Sequence, residues 1–333
     1  MKPIQNCIIN KDTTKNPIWL MRQAGRYLPE FREIRANNPD FIKLCLNENL
    51  SSEITLQPIK RFGFDAAIIF SDILMIPFAI NQDVKFKKGF GPKLGNLNID
   101  IISKINETDF TNKLKPVYNA ISLTSKNTLI KDKDLIGFVG APWTILVYMI
   151  NKMSPKKGIP ENFFNDISLL NNLLDIIEKF IKLHIKNQIN AGANVIQIFD
   201  SWAGLLENKI PEYIYNPTFN IVEYVKKLGV PVICFPRGIK NYKEYCNIVK
   251  PDMINIDYEV DPNEIVKNIK IPIQGGLDPK ILLTNKDNLK KEVEKYLTIF
   301  KDHPYSFNLG HGILPETKID LVNELIGIVR NYK

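Results

Sequence analysis

The chain has 333 residues, of which 44% are hydrophobic and 24% are charged, and its formal net charge is +8. This composition is typical of a globular protein with a large apolar core and excludes an intrinsically disordered chain. The positive charge is spread over the whole sequence, and no basic block with interleaved aromatic residues occurs, so nucleic-acid binding is not predicted.

The cysteine pattern and the N-terminal segment predict a soluble, cytoplasmic protein. The four cysteines are far apart, with no CxxC pair and no His at metal-ligand spacing, which is typical of reduced cytosolic thiols. The first residues lack the apolar stretch of a signal peptide, and no apolar run reaches the ~18 residues that a membrane helix needs. We therefore expect neither a metal site nor a membrane partner.

Eight short apolar runs predict β-strands. They are apolar on both faces instead of alternating with polar residues, which is typical of parallel strands buried on both sides of a sheet. A β-hairpin is also possible in the region 80–100. In chain order the eight runs lie at 17–22, 65–72, 135–143, 194–201, 230–238, 253–258, 271–278 and 305–312.

Amphipathic helices are predicted between these strands. At 167–192 apolar residues recur at spacings of three and four up to Gly192, a residue type that commonly ends helices. The ranges 277–301 and 315–332 show the same periodicity. Eight strands that alternate with helices favour a (β/α)8 TIM barrel, and no nucleotide-binding loop follows any strand. Because no linker interrupts the pattern, we expect a single domain over 1–333.

Polar side chains follow the predicted strands, at the end where the active site of a (β/α)8 barrel lies. Such residues can also be polar only because the chain meets water there. His184, in a Lys-rich helix, and His303, before a proline, are instead predicted to be solvated. The strand-end candidates are Arg22, Arg26, Asp72, Tyr148, Ser201, Arg237, Asp257, Asp278 and His311.

Two of these candidates, Arg22 and Arg26, flank a Gln-Ala-Gly step. Gly25 in this step permits a tight turn or a close approach of a ligand to the backbone. Each planar guanidinium can bind a carboxylate through two parallel hydrogen bonds, so the segment suits an anionic substrate. Alternatively, the two arginines are solvated, or they pair with Glu30 and Glu33 along a helix.

The other candidates have local interpretations of their own. Asp72 ends an apolar strand, so its carboxylate is either a helix N-cap or a buried acceptor aimed at the barrel mouth. Tyr148 lies one turn inside a helix and is either a site residue or a core tyrosine. Ser201 has no GxSxG motif around it, which favours hydrogen bonding over nucleophilic chemistry. His311 lies between two glycines that offer nothing to pack against, so a functional role is predicted.

Several segments resemble the uroporphyrinogen decarboxylase family. MRQAGRYLPEFR at 21–32 is similar to its N-terminal signature, and GFVGAPWTILVYM at 137–149 is similar to its second signature. IIFSDIL, IFDSWAG, QGGLDP and NLGHGILP resemble further blocks in the family's order, so the likeness spans residues 17 to about 330. The second signature departs at its end, where the family has an acidic residue and Gly and this chain has Met-Ile-Asn-Lys at 149–152.

The resemblance implies a (β/α)8 barrel, usually a homodimer, that acts on a small-molecule tetrapyrrole without a cofactor. The family converts the four acetate side chains of uroporphyrinogen to methyls in porphyrin and heme biosynthesis, which gives coproporphyrinogen and carbon dioxide. Asp72 and Arg22 would be catalytic. By matching motif, the substrate-binding residues would be Arg22, Gln23, Ala24, Gly25, Arg26, Asp72, Tyr148, Ser201 and His311.

The chemistry of decarboxylation explains why such a site needs a carboxylate. The electron pair left by carbon dioxide needs a sink, and a pyrrole protonated at a ring carbon can take the place of a cofactor. Asp72 would accept the pyrrole N–H groups and stabilise their positive charge, while the arginines hold the other carboxylates. The proton donor stays open among an arginine, a water held by Arg22 and an acid group of the substrate.

Two other functions remain as alternatives. A zinc-dependent corrinoid or thiol methyltransferase on a related barrel needs His and Cys ligands, and the sequence has no HxC motif. A non-catalytic tetrapyrrole carrier would keep the cleft without the chemistry. The presence of Asp72 and both arginines argues against a carrier.

Overall fold

A parallel sheet of seven strands lies at the centre of the computed structural model, which describes residues 1–87, 91–155 and 158–332. Its strands pair in the order β1-β4-β5-β6-β7-β8-β9, and β2 and β3 form a separate antiparallel pair, as expected for 80–100. The residues between that pair, 88–90, lie outside the described ranges. The strands are β1 (Ala66–Ile68), β2 (Val84–Lys87), β3 (Gly91–Leu94), β4 (Asp134–Gly140), β5 (Val195–Asp200), β6 (Val232–Pro236), β7 (Met253–Ile256), β8 (Ile273–Gly275) and β9 (Tyr305–Ser306).

The segment predicted as the first strand, 17–22, touches both edges of this sheet without forming a regular strand. Ile18 makes a parallel bridge with Phe307, just beyond β9. On its other side, Asp65 N donates to Ile18 O over 2.9 Å, just before β1. The prediction of a full strand is wrong here because the chain enters a turn directly after Leu20.

Helices lie around the sheet and connect its strands. The predicted helices at 167–192 and 315–332 are confirmed as α9 and α14, and no helix of the described ranges is long and apolar enough to cross a membrane. The helices are α1 (Pro3–Ile9), α2 (Pro29–Asn37), α3 (Phe41–Cys45), α4 (Glu48–Phe62), α5 (Met75–Ala79), α6 (Ile99–Ile102), α7 (Glu107–Ser125), α8 (Pro142–Asn151), α9 (Ile167–Asn190), α10 (Asn216–Lys227), α11 (Tyr242–Val249), α12 (Pro262–Asn268), α13 (Lys286–Ile299) and α14 (Ile319–Asn331).

The helix predicted at 277–301 begins later than expected. Pro279–Leu283 forms a 3-10 turn, and α13 starts only at Lys286. The reason is an N-cap at Asn285, whose side chain accepts a hydrogen bond from Asn288 N and satisfies one of the free amides of the first turn.

Helix α1 packs on the N-terminal end of the sheet. Ile4, Cys7 and Ile8 are buried in one cluster with Trp19 and with residues from β1, β4, β5, β6 and β7. The backbone N of Ile4 donates to the Asp134 carboxylate at the start of β4 over 2.6 Å. The opposite, C-terminal end of the strands is therefore the end that is left for a ligand.

A layer of buried side-chain amides lies on the inner face of the sheet. Trp19 Nε1 donates to Gln274 Oε1 over 2.8 Å, and Gln274 Nε2 donates to Asn255 Oδ1 over 2.7 Å. Gln274 Nε2 also contacts Gln197 Oε1 at 3.3 Å. Because buried polar groups cost free energy when they are left unpaired, this network fixes the relative positions of β5, β7 and β8.

The predictions for two histidines outside the strand ends are wrong. His184 on α9 is buried, and its Nδ1 lies 3.0 Å from the Tyr118 hydroxyl on α7. The neighbouring lysines belong to the other face of the helix, which the local sequence does not distinguish. His303 is half-buried, and its Nε2 lies 2.9 Å from Ile271 O.

Candidate active site

The carboxyl ends of the parallel strands bring most of the predicted site residues to one end of the sheet. Asp72 follows β1, Tyr148 lies in α8 after β4, Ser201 follows β5 and His311 follows β9. Arg22 lies in the turn that follows the bridge at Ile18. The sheet thus places residues from distant parts of the chain around one mouth.

The turn that carries Arg22 is held by a buried glutamine. The Gln23 side chain accepts from Leu20 N over 3.1 Å and donates to Ala66 O over 3.0 Å, which ties the turn to β1. Arg22 itself has a left-handed backbone, with φ of +62°. A residue other than glycine adopts this conformation at a cost, and such strain is concentrated at functional sites.

The charge of Arg22 lies among other charged groups. Arg22 is exposed at the mouth, but the protein atoms packed around it displace water and lower its pKa. Asp72 and Tyr148 act in the opposite direction, and the positive charges of Arg26 and Arg237 lower the pKa further. Arg22 and Asp72 are therefore within electrostatic range of each other at the same mouth.

The predicted pairing of Arg22 or Arg26 with Glu30 is not formed. This carboxylate pairs with Arg61 instead, and the Arg61 Nε lies 2.8 Å from Glu30 Oε1. Arg26 is exposed, so its side chain can turn toward a ligand, and Ala24 and Gly25 beside it are half-buried.

Asp72 is half-buried and stands just before a helix. Its Oδ1 accepts from Leu74 N over 2.8 Å, but α5 begins only at Met75, with Leu74 as the N-cap residue. The N-cap interpretation of Asp72 is therefore wrong, and its carboxylate fixes the turn that precedes the helix. Burial raises the pKa of Asp72 to about 6, against the opposing effects of the Leu74 amide and the charge of Arg22.

Tyr148 is buried, with its ring edge against Trp202, and the centroids of the two rings are 5.7 Å apart. Its hydroxyl lies 3.5 Å from Ser154 Oγ. Burial raises the pKa of Tyr148, and the nearby charge of Asp72 adds to the effect while that of Arg22 opposes it. The hydroxyl is thus protonated near neutral pH and can donate a hydrogen bond.

The loop that carries Ser201 is fixed by a buried contact between β5 and α8. Thr144 Oγ1 donates to Asp200 Oδ1 over 2.6 Å and accepts from Trp202 N over 3.1 Å. Ser201 lies between these two anchored residues and is half-buried.

His311 is half-buried, and its flanking glycines have a packing reason that the sequence did not indicate. A Cβ atom on Gly312 would lie 2.9 Å from Cγ and Nε of Arg22, and a Cβ on Gly310 would overlap the backbone of Tyr258. The glycines are therefore required by their neighbours. Burial lowers the pKa of His311 to about 4, and the charges of Arg22 and Arg237 lower it too, so the imidazole is neutral at pH 7.

Three other strand-end candidates differ in their surroundings. The Asp278 side chain accepts from Lys280 N over 2.9 Å and caps the 3-10 turn after β8. Arg237 after β6 and Asp257 after β7 form an ion pair, with Arg237 Nε 3.7 Å from Asp257 Oδ2. The resemblance did not mark this pair. Its only signal in the sequence was two charged residues at the ends of neighbouring apolar strands.

The four cysteines are free thiols, and three of them are buried. In the described ranges, no group of three or more His, Cys, Asp or Glu side chains is placed so that it could hold a metal ion.

Comparisons with known proteins agree on one family. Residues 1–332 match the sequence model of the family described as uroporphyrinogen decarboxylase (URO-D). The uroporphyrinogen decarboxylase of Rickettsia bellii is 41% identical, over 98% of this chain and 97% of the relative. That of Wolbachia pipientis wMel is 40% identical, over 97% of this chain and 96% of the relative.

A solved structure supports the fold. The methyltransferase from Methanosarcina mazei superposes with a TM-score of 0.79, at 15% sequence identity, over 98% of this chain and 96% of the other. At this identity the similarity concerns the fold alone.

Proposed function

The chain belongs to the uroporphyrinogen decarboxylase family, and on that premise we propose that it converts uroporphyrinogen III to coproporphyrinogen III in porphyrin and heme biosynthesis. Four acetate side chains become methyls, and each releases one carbon dioxide and takes up one proton. The observation that carries this proposal is the carboxylate of Asp72, which lies at the C-terminal end of the sheet within electrostatic range of Arg22.

The reaction requires the ring to accept electrons and later to return them. A proton adds to a ring carbon, and the pyrrole becomes an iminium-like cation conjugated to the acetate. When the bond to the carboxylate breaks, its electron pair neutralises that cation and leaves an exocyclic methylene. The methylene then takes a proton to become a methyl, and the ring carbon loses its own proton, so that the pyrrole is restored without a cofactor.

We assign Asp72 the stabilisation of this cation. A half-buried carboxylate can accept the pyrrole N–H groups, and a fixed charge at a protein site acts through a lower effective dielectric than one in bulk water. Its raised pKa of about 6 still leaves the group ionised at pH 7. The neighbouring Leu74 amide holds the carboxylate in place before the substrate arrives.

We assign the remaining residues to the carboxylates of the substrate. Arg22 and Arg26 would bind them as guanidinium forks, with Tyr148, Ser201 and His311 as neutral hydrogen-bonding partners. Gln23, Ala24 and Gly25 would complete the binding turn, since the Gln23 side chain ties that turn to β1.

Further properties follow from the family and the fold as parts of the same proposal. We infer a single (β/α)8 domain over 1–333, in which residues 17–20 act as the eighth strand. The bridge to Phe307 and the bond from Asp65 support this closure. A homodimer in the cytoplasm, free of nucleic acid and membrane partners, is the assembly that we expect.

The test is an anaerobic assay with uroporphyrinogen under reducing conditions, with coproporphyrinogen as the product. Asp72→Asn should keep its circular dichroism spectrum and lose roughly 100-fold or more of kcat, because the amide carries no charge to stabilise the ring cation. Asp302→Asn, which alters an exposed aspartate, is the control and should retain the parent rate.

Three results would contradict the proposal. A variant Asp72→Asn with near-native turnover would remove this residue from the mechanism. Tetrapyrrole binding without any product from the parent protein would favour the carrier, whereas stoichiometric zinc and loss of activity on chelation would favour the methyltransferase class.

A further inference from the structure

One part of the mouth contains none of the proposed site residues. They come from the turn at 22–26 and from the ends of β1, β4, β5 and β9, whereas β6, β7 and β8 contribute none. The pair Arg237 and Asp257 occupies this part, because it follows β6 and β7.

We propose that Arg237, oriented by Asp257, is a further carboxylate-binding residue of the substrate site. This inference rests on the function proposed above and extends it. Asp257 acts as a positioning residue, because its contact with the substrate would be made through Arg237.

The backbone of Arg237 is held on both sides. Its N donates to Asp200 O over 3.0 Å, and its O accepts from Gly204 N over 3.0 Å. The two loops are in such close contact that a Cβ on Gly204 would lie 2.5 Å from Gly238 O. The backbone of Arg237 is therefore fixed beside the loop that carries Ser201.

The side chain of Arg237 is anchored at its inner end. Asp257 is almost fully buried, with a side chain that is 3% exposed, whereas that of Arg237 is 32% exposed. The Oδ1 of Asp257 accepts from Glu259 N over 3.3 Å, and its backbone N donates to the Tyr242 hydroxyl over 3.1 Å. A fixed carboxylate thus lies on the Nε side of the guanidinium, at the 3.7 Å distance of an ion pair.

The outer end of the guanidinium is available to a ligand. Among the described residues, no hydrogen bond engages the Nη atoms of Arg237, which are the donors that grip a carboxylate as a fork. The side chain is oriented by a buried group, so less conformational entropy is lost when it binds.

Repulsion between Arg237 and Arg22 also favours an anion at this point. Arg237 lowers the pKa of both Arg22 and His311, so its positive charge reaches the residues that the proposed function places in the site. A bound carboxylate would relieve the repulsion between the arginines, and a substrate with eight carboxylates can supply one to each.

The expected kinetic signature is a change in binding. If Arg237 holds a carboxylate away from the reacting ring, the contact is equal in the ground state and in the transition state. Its loss should therefore raise KM and leave kcat within a few-fold.

The experiment compares Arg237→Gln, Arg237→Lys and Asp257→Asn in the uroporphyrinogen assay. It also uses fluorescence titration with the octacarboxylate porphyrin uroporphyrin as a probe that needs no turnover. Arg237→Gln should raise KM and the probe's Kd by roughly 10–100-fold, Lys should restore part of the loss, and Asp257→Asn should have a smaller effect of the same sign. Arg61→Gln, at an exposed pair with Glu30, is the matched control and should change neither value.

The outcomes separate this inference from the proposed function. A parent protein that does not decarboxylate but whose probe binding weakens in Arg237→Gln would sustain the binding site and refute the decarboxylase. An active parent whose KM and probe Kd are unchanged in both Arg237→Gln and Arg237→Lys would overturn the assignment of Arg237. Unchanged circular dichroism of the Lys variant checks that the fold is intact.

Discussion

The position of Arg22 depends on a glycine almost three hundred residues away. The stem of the Arg22 side chain lies where a Cβ of residue 312 would be, so the glycine after His311 leaves space for a charged group. This contact joins two motifs that the sequence shows only separately. It also gives a way to displace Arg22 without changing its chemistry.

We expect Gly312→Ala to reduce kcat/KM by roughly 10–100-fold, because the added methyl overlaps Cγ, Cδ and Nε of Arg22 and misplaces the guanidinium. Gly312 has an ordinary negative φ, so the backbone tolerates alanine. Activity assays together with urea denaturation would separate the loss of activity from a loss of stability.

The control for this change is Gly327→Ala in α14, where a Cβ has no neighbour within 4 Å. It should keep full activity and raise the free energy of unfolding by about 0.5–1 kcal/mol, since alanine favours the helix. Equal activities of the two variants would show that Arg22 is not displaced or not needed.

The raised pKa of Asp72 predicts the pH dependence of the reaction. Its pKa is about 6, so the carboxylate is protonated below this pH and can no longer stabilise a cation. The kcat/KM of the free enzyme should therefore fall on the acid side of about pH 6, while His311, with a pKa of about 4, stays neutral. A pH–rate profile from 4.5 to 8 tests this.

The residual activity of Asp72→Asn should lack this acid limb, whereas His311→Asn should keep it. A profile of the parent enzyme that is flat between pH 5 and 7 would be incompatible with Asp72 as the ionised group.

At the scale of elements, Asp134 joins α1 to β4. Its Oδ2 accepts from Ile4 N over 2.6 Å, and its Oδ1 accepts from Asn194 Nδ2 over 3.1 Å. Burial raises the pKa of Asp134 to about 6, against the opposing hydrogen bonds from this helix. The contact lies at the N-terminal end of the sheet, far from the strand ends that carry the site.

We expect Asp134→Ala to lower the free energy of unfolding by about 1–3 kcal/mol, because the Ile4 amide is left buried without its acceptor. The KM and kcat should not change. Urea denaturation of this variant and of Asp132→Ala, an exposed neighbour, would measure the difference. Equal midpoints for both variants would show that Asp134 does not anchor α1.

At the scale of the whole molecule, the proposed closure of the sheet into a barrel depends on a very short segment. Ile18 touches both edges through one bridge and one backbone bond. Trp19, the next residue, is fully buried, and its Nε1 donates a hydrogen bond to Gln274 of the inner amide layer. The amide layer therefore holds this segment in place where regular strand pairing is minimal.

Hydrogen exchange measures this closure directly. The amides of Asp65 and Phe307, which donate to Ile18 O and Pro17 O, should be protected to a degree similar to that of Ile198 in the interior strand β5. Exchange of these two amides that is faster by several orders of magnitude would indicate an open sheet, with 17–20 as a loosely attached segment.

Much of the fold and part of the site could be predicted from the sequence because their signals are local. Buried parallel strands are continuous apolar runs, so seven strands of the sheet were located correctly, and the polar residues that end them include Asp72 and His311. The pattern of the first run does not reveal that the chain turns after Leu20, so the prediction of a full strand there is wrong. His184 was misread because a Lys-rich stretch does not show which helix face is buried.

The sequence by itself determined the strands, most of the helices, the family and the end of the sheet at which charged residues gather. Only the tertiary structure decided that Gly312 makes space for Arg22, that Glu30 pairs with Arg61 and that Asp257 holds Arg237. The physical reason is the range of the interactions. Hydrophobic periodicity and capping act between near neighbours in the chain, whereas steric exclusion and ion pairing depend on which distant residues the folded chain brings together.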